Sequence, residues 1–535
     1  MKRTASWFAA ALVTLLLGAS SGVFAKPGDV VKTLKSPGPC LTGLAWDGHL
    51  LWAADRRTDK LYAVDPTSGK VVKTLPAPGY WPLGLAFDGK TLWCVDKEDN
   101  KIYQISPATG EILHAVDSPA RNGFGLAWDG KYLWLADDGS NQILQISTDD
   151  GTTVRSFPAP SGHPQGLAFD GTYLWIADRI ADELYIATTD GEVLFVLKSP
   201  GPYATGLAFD GQHLWNADYQ TDKLYKLKVD DREVFSRSNP RHATVTLTHQ
   251  VRNQGPGKIT RLDVYFALPE NRDSQEIEGK FRFSPQPADF ATDQWGQRFA
   301  HFSYTDIPPQ GVVTSKMEVK TTVYEITYYV RPEKVGSLTD IPQDIRTRFT
   351  QDGSKYMLKN PIIQKAAREA VGNEKNPYWI ARKIYRYLMG KMHYELAGGW
   401  NVAPAVLARG SGSCSEYSFV YIAMARAAGL PARYVGSVVV RGDDASLDDV
   451  FHRWVEVYLP GYGWVPVDPS GGDQPSRRAQ ALYFGHLSNR FLITTQGGGD
   501  SRYMGWTYNM AETWHAEPKT KLQIEAIAEW EPVGK

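Results

Sequence analysis

Gly410-Ser411-Gly412-Ser413-Cys414-Ser415-Glu416-Tyr417, taken with Phe451-His452-Arg453-Trp454 and Pro466-Val467-Asp468-Pro469, is the stretch around which this chain organises itself. A short glycine–serine loop leads into Cys414. The residues that follow carry Phe419, Val420, Ala423, Met424 and Ala427 at helical spacing, and Gly429 with Pro431 closes the segment. The pattern puts Cys414 at a helix N-terminus, where unpaired backbone N–H groups and the helix dipole favour thiolate over thiol. A thiolate so placed is a nucleophile for an amide carbonyl near neutral pH.

Further on, Phe451 to Leu459 alternates as a strand, with His452, Trp454, Glu456 and Tyr458 on one face. A turn at Pro460-Gly461-Tyr462-Gly463 returns the chain as Trp464 to Asp468. The hairpin brings Asp468 toward His452, where a carboxylate would fix the imidazole tautomer and stabilise imidazolium. Register decides whether it arrives. A four-residue loop pairing Leu459 with Trp464 sets Asp468 opposite Val455, on the wrong face. A three- or five-residue loop, or a bulge near Pro466, restores the shared face. Cys414, His452 and Asp468 are the candidate catalytic residues, and Trp454, Glu456, Tyr458 and Trp464 read as packing and strand-pairing positions.

The cysteine block, continued by Ala425-Arg426-Ala427-Ala428-Gly429-Leu430-Pro431-Ala432-Arg433-Tyr434-Val435, resembles the cysteine helix of the transglutaminase-like superfamily. His452 to Tyr458 and Gly463 to Pro469 resemble that family's other two blocks, so the resemblance covers about 340 to 490. It implies a papain-like Cys-His-Asp fold whose members cross-link, deamidate or hydrolyse amides, with a protein or peptide as substrate and no cofactor. The Cys414 backbone N–H is the expected oxyanion donor. Tyr394 and Trp400, just upstream, are expected to line the cleft or to assist the oxyanion.

Residues 29 to about 228 are a repeat array. The unit reads Gly-Leu-Ala-aromatic-Asp-Gly, then Leu-Trp, then Asp. Its glycines are Gly43, Gly84, Gly125, Gly166 and Gly206, at spacings of 41, 41, 41 and 40. Short strands with Asp-Gly turns at this period predict propeller blades, five in number, and glycine and proline density excludes a helical repeat. The array resembles NHL-like and streptogramin-lyase-like propellers. Asp55, Asp96, Asp137, Asp178 and Asp218 end equivalent strands and should form a ring that accepts hydrogen bonds from inter-blade loops. His49, His163 and His213 do not recur at one repeat position, which disfavours a lyase site. The loop faces are expected to dock substrate, a protein partner or an envelope component.

The expected fold class is therefore multidomain: an all-β propeller, a β-sandwich and an α+β cysteine domain. Residues 1–25 carry Lys2-Arg3, an apolar run from Phe8 to Leu17 and Val23-Phe24-Ala25, the pattern of a signal peptide. They imply export to the periplasm or beyond, and no stretch is apolar enough to span a membrane. The propeller is assigned to 26–230. An immunoglobulin-like sandwich takes 231–338, on the strand-like runs Ala243 to Thr248 and Thr321 to Val330. The cysteine domain takes 339–535, where Ile362, Ala366 and Ala370, then Ile380, Ile384, Tyr387 and Leu388, read as apolar helix faces. A net charge of −1 creates no field for nucleic acid or an anionic membrane. Three cysteines leave at least one free thiol in an oxidising compartment, naturally Cys414, and allow a Cys40–Cys94 bridge. No metal cluster is evident: Asp443, Asp444, Asp448 and Asp449 read as a solvated loop, and Gly497 to Gly499 as a turn. An inert scaffold and a propeller lyase are the competing functions.

Overall fold

The computed structural model describes residues 26–230, 234–396, 399–442 and 445–533. The expected signal peptide, and Asp443 with Asp444 of the acidic loop, lie outside the described residues.

Five four-stranded antiparallel sheets make a closed five-bladed propeller. Four use consecutive strands. The fifth borrows Val30–Lys35, from the start of the array, as its outermost strand beside Lys223–Lys228, so both ends of the array meet in one blade. The repeat glycines explain how five blades fit round one axis. A Cβ on Gly43 would stand 2.1 Å from the Leu83 carbonyl of the next blade's inner strand, and Gly84, Gly125 and Gly166 face the same obstacle. Each Asp-Gly turn is stapled to its blade by the repeat tryptophan, whose Nε1 donates to that aspartate at 2.7–3.0 Å. The ring aspartates are buried. Asp55, Asp96, Asp178 and Asp218 accept the amides of Cys40, Trp81, His163 and Tyr203 from the loops entering their blades, at 2.7–2.8 Å. Cys40 and Cys94 are both free thiols, so the bridge that the cysteine count allows is not formed.

The sandwich is larger than residues 231–338. One sheet runs Gln275–Ser284, Val312–Tyr328, Phe235–Gly255, Lys521–Pro532 and Ser446–Asp448, and the facing sheet contains Asp289–Thr292, Arg298–Ile307, Ile259–Ala267 and Met510–Ala516. The two strands beyond residue 509 fall in the span that the sequence assigns to the cysteine domain. They complete the sandwich because each caps an otherwise unpaired flank: Ala243 pairs with Pro532 and Val264 with Glu512.

The cysteine domain folds the helices Pro361–Val371, Pro377–Met389 and Ala403–Arg409 around the helix Cys414–Ala427, whose other side meets a sheet ordered Gly463–Val467, His452–Leu459, Ala432–Val439, Phe491–Gly497. Cys414 to Arg426 are buried all round, a wider burial than one apolar face predicts. In the helix Pro361–Val371 the buried face is Ile363, Ala366, Ala367 and Val371, while Ile362 is exposed, one residue out of phase with expectation. The helix Pro377–Met389 is buried on two sides. Ile380, Ile384 and Leu388 join the domain core, and Arg382 reaches the propeller. Gly498 has a packing reason: a Cβ there would stand 2.2 Å from the Trp295 ring.

The propeller rests on this domain through its fourth blade. The outer strands Val71–Pro76, Ile112–Asp117 and Thr153–Pro158 are mostly exposed, whereas Val193–Lys198 is mostly buried. Arg382 donates from Nε to Glu192 Oε1 at 2.5 Å and from Nη2 to the Val193 carbonyl at 2.7 Å. Arg478 grips Glu183 with two hydrogen bonds of 2.5 Å. Apolar packing continues without a break from blades four and five into the cysteine domain.

Candidate active site

The hairpin takes the three-residue loop. Leu459 pairs with Gly463 and Val455 with Val467, which sets Asp468 on the face shared with His452. Gly461 and Gly463 both adopt positive φ, 90° and 78°, and so tighten the turn around Pro460-Gly461-Tyr462. His452 Nε2 lies 2.7 Å from Asp468 Oδ2. The other carboxylate oxygen accepts the Ser470 N–H at 3.1 Å, the Ser470 hydroxyl at 2.8 Å and the Gly471 N–H at 2.9 Å. Asp468 is therefore held on both oxygens and cannot swing away from the ring. The imidazole is flanked by Phe491, centroids 5.6 Å apart and 25° from parallel, and by Trp454 at 6.0 Å.

Cys414 opens its helix, with Ser413 as N-cap and the Ser413 N–H donating to Glu416 Oε2 at 3.2 Å. Glu416 is wholly buried and also accepts Arg409 Nη2 at 2.7 Å and Asn401 Nδ2 at 3.0 Å, tying the upstream loop to the helix start. The Cys414 side chain shares a hydrogen bond with His452. With Nε2 on Asp468, Nδ1 is the ring nitrogen left for sulfur. The structure thus brings all three sequence-named residues together.

The electrostatics of the pair favour its charged form. Burial opposes ionising Cys414, but the His452 hydrogen bond and charge, the Arg453 backbone N–H and the Arg453 guanidinium outweigh it and hold the thiol below its ordinary value. Burial would lower His452, yet the charge and hydrogen bond of Asp468, with the Cys414 contact, push it up to about 10. Asp468 is kept below the usual carboxylate range, burial being outweighed by His452 and by the donors at Ser470 and Gly471. Alkylation of Cys414, followed by site-resolved mass spectrometry, should accordingly rise with pH with a midpoint below the roughly 8.5 of a free thiol. A midpoint at or above that value would mean that the helix start and imidazole do not activate the sulfur.

Arg453 is the contributor that sequence reading passed over, although it sits inside the His452 block. It is wholly buried, among Tyr508, Tyr434, Phe419 and Trp400, with its guanidinium carbon 4.3–5.2 Å from their ring centroids. Alternation along the strand points it away from His452, and no local pattern announces that cage. Tyr394 and Trp400, both partly exposed, border the site: Tyr394 pairs in parallel with Gly412, and Trp400 stacks on Tyr508 at 6.3 Å. Asp473 holds this rim, accepting the Tyr394 N–H and the Tyr417 hydroxyl, each at 2.9 Å. Among the described residues no group of His, Cys, Asp and Glu side chains is arranged to hold a metal ion.

Residues 364–469, which contain Cys414, His452 and Asp468, match the transglutaminase-like superfamily. An uncharacterized protein of Haemophilus influenzae is 29% identical over 185 residues, 29% of this chain and 49% of that protein, so the chain spans about half the length of this relative. A protein-glutamine gamma-glutamyltransferase of Pseudomonas aeruginosa is 31% identical over 112 residues, 19% of this chain and 17% of that one. Among solved structures, a proposed cysteine protease of Cytophaga hutchinsonii aligns with 16% identity and a TM-score of 0.40, covering 55% of this chain and 92% of that one. Residues 364–469 are a transglutaminase-like domain, carried in this chain beside a five-bladed propeller.

Proposed function

We propose that this chain is a cysteine enzyme acting on amide bonds of peptides or proteins, with Cys414 as nucleophile, His452 as proton carrier and Asp468 as the group that orients His452. The observation that carries this reading is the placement of one imidazole between a helix-start thiol and a doubly anchored carboxylate. In the first step Cys414 sulfur bonds to the amide carbon, and the oxyanion forms beside the Cys414 N–H, a donor that the first helical turn leaves without an intrahelical acceptor. Imidazolium then gives its proton to the departing amine, and a thioester remains on Cys414. Water resolves that thioester as hydrolysis, and an amine resolves it as cross-linking. The propeller, fixed to the helix Pro377–Met389, serves in this reading as the module that docks substrate or partner.

The test is reaction of the full chain with a thiol-directed amide-mimic probe, compared with Cys414→Ala and His452→Ala. Labelling should fall on Cys414, vanish in the first variant and slow by orders of magnitude in the second. Equal labelling of the parent and His452→Ala, or modification of Cys40 or Cys94 instead, would overturn the reading.

A further inference from the structure

The two mouths of the propeller channel are built by different rules. At one, the inner strands present the same Leu-Ala-aromatic motif in every blade, ending in Trp46, Phe87, Trp128, Phe169 and Phe209, around a space of about 80 Å³. At the other stand the ring aspartates, and the residue after each aspartate lines a cavity of about 280 Å³. Those five residues are Arg56, Lys97, Asp138, Arg179 and Tyr219. A position that only closes a blade can be filled alike in every copy, as the aspartates and tryptophans are. A position that meets an asymmetric ligand cannot.

The five residues after the aspartates supply three cations against one carboxylate, and that carboxylate is already engaged, while the aspartates themselves are buried and accept backbone amides. Asp138 lies 3.0 Å from His163 Nδ1 and 3.5 Å from Arg179 Nη2. Arg179 also donates to the Tyr203 hydroxyl at 2.8 Å. Arg56 and Lys97 differ, having no carboxylate partner among the described residues. Aromatic faces position them instead, helped at Arg56 by the Cys40 sulfur, which accepts from its Nε at 2.9 Å. Arg56 lies 5.6 Å from the Trp81 centroid and 5.9 Å from that of Tyr219, and Lys97 lies 5.4 Å from Trp81 and 5.7 Å from Phe124. These contacts hold the two side chains in place while leaving their charges without a carboxylate at ion-pair distance. Phe124, Tyr203 and Tyr219 give the cavity apolar walls, and its volume lies at the small end for ligand pockets.

We propose that this mouth binds a small organic anion, an acid group on a compact apolar body. The acid group lies between Arg56 and Lys97, and the body packs against Phe124 and Tyr219. The site stands apart from Cys414 and does not depend on the chemistry proposed there.

The experiment is calorimetric titration of the full chain with 3-phenylpropionate and phenyl phosphate, with 3-phenylpropionamide and inorganic phosphate as controls. At least one of the two organic anions should bind with a stoichiometry of one, more weakly as salt rises. The tighter of the two identifies the acid group. Both controls should bind at least about tenfold more weakly. Arg56→Gln and Lys97→Gln, each at a partly exposed position that leaves the blade core untouched, should each weaken binding about tenfold or more, the usual worth of a charge-assisted hydrogen bond. Cys414→Ala should bind as the parent does, so failure here and failure of the proposed enzyme are separately visible. The proposal is overturned if neither organic anion binds, if either control binds as tightly, or if the folded Arg56→Gln, Lys97→Gln double variant retains parental affinity.

Discussion

Replacing Arg382 with alanine should loosen the fourth propeller blade from the helix on which it rests. Arg382 is 1% exposed, and its guanidinium sits between Glu192, the Val193 carbonyl and the rings of Phe484 and Tyr385, at 4.8 and 5.4 Å from its central carbon. Truncation leaves Glu192, itself buried, with Arg386 at 3.1 Å as its remaining cation, and leaves a carbonyl without its donor. Breaking a buried pair from one side costs about 3–5 kcal/mol. Amide exchange in Val193–Lys198 should therefore accelerate by about a hundredfold or more, while Val71–Pro76 on the first blade keeps its parental rate. Arg382→Met combined with Glu192→Met removes both charges and should recover much of the loss, because paired apolar groups avoid the desolvation penalty. Parental exchange in Arg382→Ala would show that apolar packing alone holds the interface.

That interface was half legible. Val193-Leu194-Phe195-Val196-Leu197 is apolar at every position, where the equivalent runs mix in Lys73 and Thr74, His114, or Arg155 and Ser156. A strand buried on both faces has that signature. What covers it does not appear locally, because the partner helix lies some 190 residues away and its arginine looks like any surface charge. The same limit hid the sandwich strands Met510–Ala516 and Lys521–Pro532: their alternation is plain, but their sheet is chosen by pairing across more than 240 residues. The propeller was legible because each repeat restates its own turns, staple and glycine. The hairpin was legible except for its loop length, since Gly463 suits a turn or a strand start equally well and only the paired structure selects Leu459–Gly463. Arg453 was in view and unassigned, because its role depends on rings from four separate segments.

Asp468→Asn should keep the fold and lower turnover by about 10–10³-fold, less than the roughly 10⁴-fold cost of the same change in a serine protease, because a thiol ionises more readily than a serine hydroxyl and leans less on its base. The three donors from Ser470 and Gly471 fix the orientation of the new amide. Its oxygen keeps those bonds, so its NH₂ faces His452 Nε2, which must then accept rather than donate. Imidazolium, with protons on both nitrogens, clashes with that arrangement. His452 therefore falls from about 10 toward its ordinary value, and Cys414 loses part of the charge that holds its thiol down. The alkaline limb of the turnover profile should move to lower pH while the alkylation midpoint of Cys414 moves up, narrowing the active window from both sides. The stability difference between parent and variant has a matching sign. The depressed Asp468 contributes above the unfolded carboxylate value near 3.9, and its share is lost as pH falls through the lower folded value. The raised His452 contributes fully below about 6.5, and its share is lost as pH rises through about 10. The parent's advantage should thus be greatest between roughly pH 4 and 6.5 and should fade on either side. A variant with parental turnover and an unmoved alkylation midpoint would remove Asp468 from the triad and leave its hydrogen bond to His452 a purely structural tie.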